Sequence, residues 1–170
     1  MSKNRMEAFS DCVHSIIITI MVLGLSVPSE AHFDSLQRLL PAFMSYLLSF
    51  TFLGIYWSNH HHLLQAIQNV DGRVLWANLH LLFWLSFIPF VTAWVGASRF
   101  APLPVALYGL VLLLAAVAYF ILAHSLISLH GRQSVLATAL GRDFKGKISI
   151  VLCAVAIPIA FFGPLYACCI

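Results

Sequence analysis

The sequence predicts an all-α integral membrane protein, a bundle of five to six transmembrane helices forming one unit over residues 1–170. Three observations carry this expectation. Hydrophobic residues make up 61% of the chain and charged residues 9%, against about 25% charged in an ordinary soluble domain. Mean hydropathy is +0.94. Apolar runs also recur along the chain, each near the ~20 residues a helix needs to cross the hydrocarbon core, and no linker or polar second domain separates them.

The first span reads from about Glu7 to Val27 and stops at Pro28. Lys3 and Arg5 would suit a cleaved leader, but Glu7, Asp11 and the spans that follow do not. The second span covers about Leu36 to Ser58, the third Val74 to Val95, and the fourth Leu103 to Leu129. A fifth begins near Ile148 and reaches Phe162, where Gly163-Pro164 breaks it. Either that helix is long and kinked, or a sixth begins at Pro164 and is cut short at Ile170.

Basic residues set the orientation. Lys3, Arg5, Arg73, Arg132, Arg142, Lys145 and Lys147 fall on one side of the predicted membrane, Arg38 and Arg99 on the other. The N-terminus is therefore expected in the cytoplasm. The formal charge of +3 is a topology signal, and it gives a nucleic-acid partner no support.

Several function classes drop out. No P-loop or dinucleotide fingerprint is present, and no carbonyl filter loop or GxxxG pair occurs in the spans. Only Asp11 among the acidic residues lies inside a predicted span, which disfavours a coupled transporter built on buried carboxylates. Cys12, Cys153, Cys168 and Cys169 form no CxxC pair and read as small core hydrophobes.

Polar groups inside the spans are expensive in lipid and therefore point to function. At 100° per residue, Ile16, Thr19 and Leu23 form one stripe of the first helix, with Ser15 and Ser26 on the same broad face. On a single helix this is a packing stripe, with Thr19 bonded to its own backbone. Around a symmetry axis it becomes stacked apolar and hydroxyl rings, which gate by dewetting and offer oxygen to a cation. At the other end, Asp11 needs a partner such as Arg5 or a donor from another helix. The stretch from Tyr56 to Leu63 and the residues Trp76, Asn78 and His80 supply such donors. Asn59, His60, His61 and His62 invite a metal reading, but adjacent histidines on a helix diverge, and no HExxH or HxxxH pattern occurs there.

The pattern RxxxFSD (Arg5, Phe9, Ser10, Asp11) opens the first span, YWSNHHHL follows the second, and WANLHLLFWLSFIPF fills the third. With these features the chain resembles the transmembrane protein 175 family of potassium channels in its short prokaryotic form. The resemblance implies six helices per repeat, a homotetramer in the lipid bilayer, and a pore lined by the first helix. It implies constrictions at Ile16, Thr19 and Leu23, with the Thr19 hydroxyl ring favouring potassium. It also implies that Arg5, Phe9, Ser10 and Asp11 bond to histidine, tryptophan and asparagine of the next two spans, best matched by Trp76, Asn78 and His80. The expected activity is a passive potassium-selective leak in a prokaryotic membrane. Monovalent cations permeate, and there is no cofactor, metal site or enzymatic step. A proton-permeable channel and a histidine metal-site protein are the alternatives.

Overall fold

The computed structural model describes residues 2–28, 31–67, 69–130 and 144–168, and every regular element among them is helical. In order these are α1 (Lys3–Leu23), α2 (Phe33–Gln65), α3 (Gly72–Leu85), α4 (Ile88–Ala97), α5 (Pro102–His130), α6 (Phe144–Phe162) and the short α7 (Pro164–Ala167). α1, α2, the α3–α4 pair and α5 are long and apolar enough to cross a membrane, and 150–162 of α6 is a shorter apolar stretch. Arg132, Arg142 and Cys169 lie outside the described residues.

Two expected spans differ in a physically instructive way. α2 has 33 residues, about 50 Å at 1.5 Å per residue, which exceeds a hydrocarbon core of about 30 Å. Leu63 and Leu64 are buried and keep the helix packed beyond its apolar run, so His60, His61 and His62 lie on the helix instead of following it. The third span is two helices. Pro89 has no N–H, and its ring would strike the Leu85 carbonyl, so the ladder breaks at Ser86 and Phe87. Ser86 seals the end of α3, its N–H reaching Leu82 O at 3.0 Å and its hydroxyl Phe83 O at 2.6 Å.

α5 occupies the middle of the bundle, against α3, α4 and α6, while α1 lies outside it on α2, α3 and α4. Leu53 and Leu64 of α2, Leu81 and Leu85 of α3, and Leu122 and Leu126 of α5 are fully buried and belong to one apolar core. Lipid tails are as apolar as leucine, so close packing and interhelical hydrogen bonds must hold such a bundle together. Both are present between α2 and α4. A Cβ added at Gly96 would stand 2.7 Å from both Ala42 Cα and Ser45 Oγ, so only glycine permits this approach.

One turn deeper, hydroxyls join α2, α4 and α5. Thr92 donates to Ile88 O at 2.6 Å, so its oxygen accepts from Ser49 at 2.6 Å, and Ser49 accepts from Tyr108 at 3.0 Å. The proton direction along the chain is thereby determined. α4 ends in a turn with positive φ at Arg99 (52°) and Phe100 (61°), closed by Phe100 N–H on Val95 O at 2.9 Å. Phe100 packs against the core there, which holds this unfavourable backbone in place. The cysteines divide: Cys153 and Cys168 pack against the core, but Cys12 is exposed on α1, because its position on the helix faces away from the bundle.

Gly96→Ala is expected to destabilise the protein by about 1–3 kcal/mol through overpacking. Gly54→Ala, whose Cβ meets nothing within 4 Å, should be neutral or stabilising by up to about 1 kcal/mol. Thermal melting of the two purified variants in one detergent checks the contrast.

Candidate functional site

α1 has two faces with different chemistry. Met6, Ser10, His14, Ile17 and Met21 are buried in the bundle. About 150° away around the helix, at 100° per residue, Arg5, Phe9, Cys12, Ile16, Thr19 and Leu23 are all exposed. Ile16 is 51% and Leu23 77% accessible. The outward set alternates steps of four and three residues, the spacing of a seam along which helices associate. Ser26, expected on this face, lies past the end of α1 at Leu23.

The inward face is oriented by polar contacts at the N-terminal end of the helix. Asn78 of α3 is 1% exposed. Its Nδ2 donates to Ser10 Oγ at 3.0 Å, and its Oδ1 lies 2.7 Å from His60 Nε2 of α2. An amide oxygen only accepts, so His60 Nε2 carries the proton. Ser10 passes its own hydroxyl proton to Met6 O at 2.9 Å. His14 Nδ1 donates to Ser10 O at 2.8 Å, its ring 5.9 Å from that of His60. His14 Nε2 is buried and has no hydrogen-bond partner among the described residues.

Beside this inner set runs a ladder between α1 and α2. Lys3 Nζ lies 3.5 Å from Gln65 O. Glu7 Oε1 is 3.3 Å from His61 Nδ1, and Trp57 Nε1 donates to Asp11 Oδ1 at 2.9 Å. Each step moves four residues up α1 and four down α2, the register of two antiparallel helices meeting one turn at a time. Trp57 stacks on His61 with ring centroids 5.7 Å apart, which stiffens the middle rung.

The expected site residues therefore divide. Ser10, Asp11 and Asn78 are drawn into the network. Trp76 and His80 are not. They sit two residues either side of Asn78, which turns them to the opposite face of α3; Trp76 is 75% exposed, and His80 accepts from Trp84 Nε1 at 2.9 Å. Their expected places are taken by Trp57 and His60, from the α2 stretch that also supplies His61. Arg5 and Phe9 lie on the outward face, and among the described residues their side chains make no hydrogen bond or ion pair with the network. The three adjacent histidines diverge: His60 faces Asn78, His61 faces Glu7, and His62 is exposed. On the outward face Thr19 Oγ1 donates to Ser15 O at 2.8 Å, and Ser15 is bonded to Asp11 O at 3.1 Å. With their protons turned inward to the backbone, both hydroxyl oxygens present lone pairs outward. Met6, Glu7 and His14 were not singled out as network members from sequence; their spacing from Ser10 and Asp11 was the only available signal.

Residues 5–89 match the family described as the endosomal/lysosomal potassium channel TMEM175. A potassium channel of Chryseobacterium sp. (strain P1-3) is 52% identical over 167 residues, 98% of this chain and 87% of that protein. The crystal structure of a lysosomal potassium-selective channel TMEM175 homolog from Chamaesiphon minutus matches with a TM-score of 0.84 at 26% identity, covering 97% of this chain and 89% of that one. The human endosomal/lysosomal proton channel TMEM175 is 31% identical over 109 residues, 61% of this chain but 22% of that protein.

Asn78→Ala should cost about 2 kcal/mol or more, because it leaves the buried His60 Nε2–H donor and the buried Ser10 Oγ acceptor without their partner. Trp76→Ala, on the outer face, should stay within about 0.5 kcal/mol of the parent. Melting curves of the two purified variants distinguish this network from one centred on Trp76.

Proposed function

The chain belongs to the TMEM175 family, integral membrane ion channels rather than enzymes, and we propose that it is a potassium-preferring leak channel assembled from four copies around α1. The observation that carries this reading is the outward stripe of α1. Arg5, Phe9, Cys12, Ile16, Thr19 and Leu23 keep one seam-like spacing and face away from the chain's own bundle. Four such stripes around an axis stack an apolar ring at Ile16, a hydroxyl ring at Thr19 and a second apolar ring at Leu23.

Conduction in this reading is passive and needs no cofactor, with K+ as the permeant ion. The rings at Ile16 and Leu23 replace none of an ion's hydration oxygens, so they admit ions only as far as water remains with them. Potassium sheds water at lower cost than sodium, and the ring favours it on that ground. At Thr19, and at Ser15 one turn before it, lone pairs meet the cation because the hydroxyl protons are bound to the helix backbone. Few oxygens are offered, so discrimination is modest beside a filter of stacked carbonyls.

Lys3, Arg5 and Arg73 cluster at the end of the bundle where the polar network lies, and this end faces the cytoplasm of a bacterial cell by the distribution of basic residues. Arg5, Phe9, Ser10 and Asp11 act structurally: Ser10 and Asp11 orient the helix, and Arg5 and Phe9 head the stripe at the cytoplasmic mouth. Residues 1–170 act as one channel-forming unit. A second reading, proton permeation, draws on the name of the human relative, a proton channel.

The test is the reversal potential of currents through purified protein in planar bilayers under opposed potassium and sodium gradients. The parent should reverse toward the potassium potential. Thr19→Val should reduce the potassium-to-sodium permeability ratio a few-fold, and Ile16→Asn should raise conductance several-fold by wetting the constriction. Currents unchanged in both variants would move the pore off α1. A reversal that follows a pH gradient instead would favour the proton reading.

A further inference from the structure

A second polar site lies away from α1, where the start of α3 meets the last turns of α5. A cavity of about 520 Å³ opens there between Asp71 and Arg73 on one side and α5 on the other. The bonds its side chains already make decide what each can offer a ligand. His124 Nδ1 lies 3.0 Å from the Phe120 carbonyl. That oxygen only accepts, so Nδ1 carries the proton and Nε2 of the neutral ring is an acceptor. Ser125 gives its hydroxyl proton to Ile121 O at 2.8 Å and keeps its lone pairs. Asp71 caps α3 by accepting from Val74 N–H through Oδ1 at 2.9 Å, which leaves Oδ2 as a charged acceptor. These acceptors share the cavity with the Arg73 guanidinium, which has no ion-pair partner among the described residues.

We propose that this cavity binds the headgroup of a phosphoethanolamine lipid. The primary ammonium has three N–H donors, matched by Asp71, His124 and Ser125; the phosphate is taken by Arg73, with the Ser128 hydroxyl beside it. The pairing of one carboxylate with one guanidinium suits a zwitterion whose cationic end donates hydrogen bonds. A choline headgroup has no N–H to give these acceptors, and a glycerol headgroup has no positive charge to offer Asp71. A lipid is favoured over a free headgroup compound by the cavity's apolar side. Ile121 and Leu129 line it and are 41% and 38% exposed, and Val117, one turn deeper on α5, is 36% exposed. That strip of α5 gives an acyl chain a path from the headgroup into the bilayer.

Native mass spectrometry of delipidated protein tests this with phosphatidylethanolamine, phosphatidylcholine and phosphatidylglycerol of identical acyl chains, and with soluble phosphoethanolamine as competitor. Phosphatidylethanolamine should bind about tenfold more tightly than the other two, the equivalent of one hydrogen bond to a charged group. Asp71→Asn keeps the helix cap, since asparagine caps as well as aspartate, and should abolish the preference for phosphatidylethanolamine over phosphatidylglycerol. Arg73→Gln should weaken all three lipids. Equal binding of the three lipids by the parent overturns the proposal, whatever the variants do. So does an unchanged preference in Asp71→Asn, or displacement of the lipid by soluble phosphoethanolamine at equal concentration. Because the readout is lipid retention, it is independent of whether the protein conducts potassium.

Discussion

The amide of Asn78 touches α1 and α2 from α3, and the placement of the other polar side chains on α1 follows from it. An amide carries both a donor and an acceptor, so one side chain can satisfy Ser10 and His60 together. In a membrane-embedded bundle this matters more than its few hydrogen bonds suggest. A buried polar group left unpaired there has no water to fall back on. With Ser10 turned to Asn78, α1 can be rotated only one way, and the rungs Lys3–Gln65, Glu7–His61 and Asp11–Trp57 then come into register along α2. A slip of either helix by one residue would misalign all three rungs together.

Fixing one face of a helix necessarily exposes the other. The outward stripe from Arg5 to Leu23 is apolar enough to belong in a membrane and carries hydroxyls whose protons are already committed to the backbone. The seam-like alternation of its residues is what the proposed assembly around α1 rests on. The RxxxFSD motif is shared between the two faces: Ser10 and Asp11 meet the bundle, while Arg5 and Phe9 belong to the stripe. Ser10 and Asp11 hold α1 in rotation, and Ile16, Thr19 and Leu23 are presented by that rotation.

The two ends of α1 are held by different means. Its N-terminal half has the amide bridge and the ladder. Its C-terminal half has apolar packing and a long contact from Thr92 to the Met21 thioether at 3.9 Å. Methionine adapts its shape easily, so the half bearing Thr19 and Leu23 is the more compliant. Elsewhere the bundle does not depend on α1. The Tyr108–Ser49–Thr92 hydroxyl chain and the close approach at Gly96 join α2, α4 and α5 directly, which gives α1 a rigid surface to lean on.

Much was legible in the sequence because it depends on local chemistry. Apolar run lengths marked the spans, and a rotation of 100° per residue put Ile16, Thr19 and Leu23 on one stripe, whereas the third span, expected unbroken from Val74 to Val95, divides before Pro89. The depth of Asp11 pointed to donors from the second and third spans, and the bond it receives comes from Trp57 of the second. Depth says nothing about azimuth, however. Trp76, Asn78 and His80 lie at similar depth, yet only Asn78 faces α1, because Val74, Ala77, Leu81, Leu82 and Leu85 turn α3 into the core and carry Trp76 and His80 outward. The same limit hid the ladder from Lys3 to Asp11, each rung of which needs a particular residue on a distant helix. By itself the sequence determined the membrane class, the helices and the angles between residues on each of them. Only the tertiary structure decided which way each helix is turned, because that rotation is set by contacts between segments far apart in the chain.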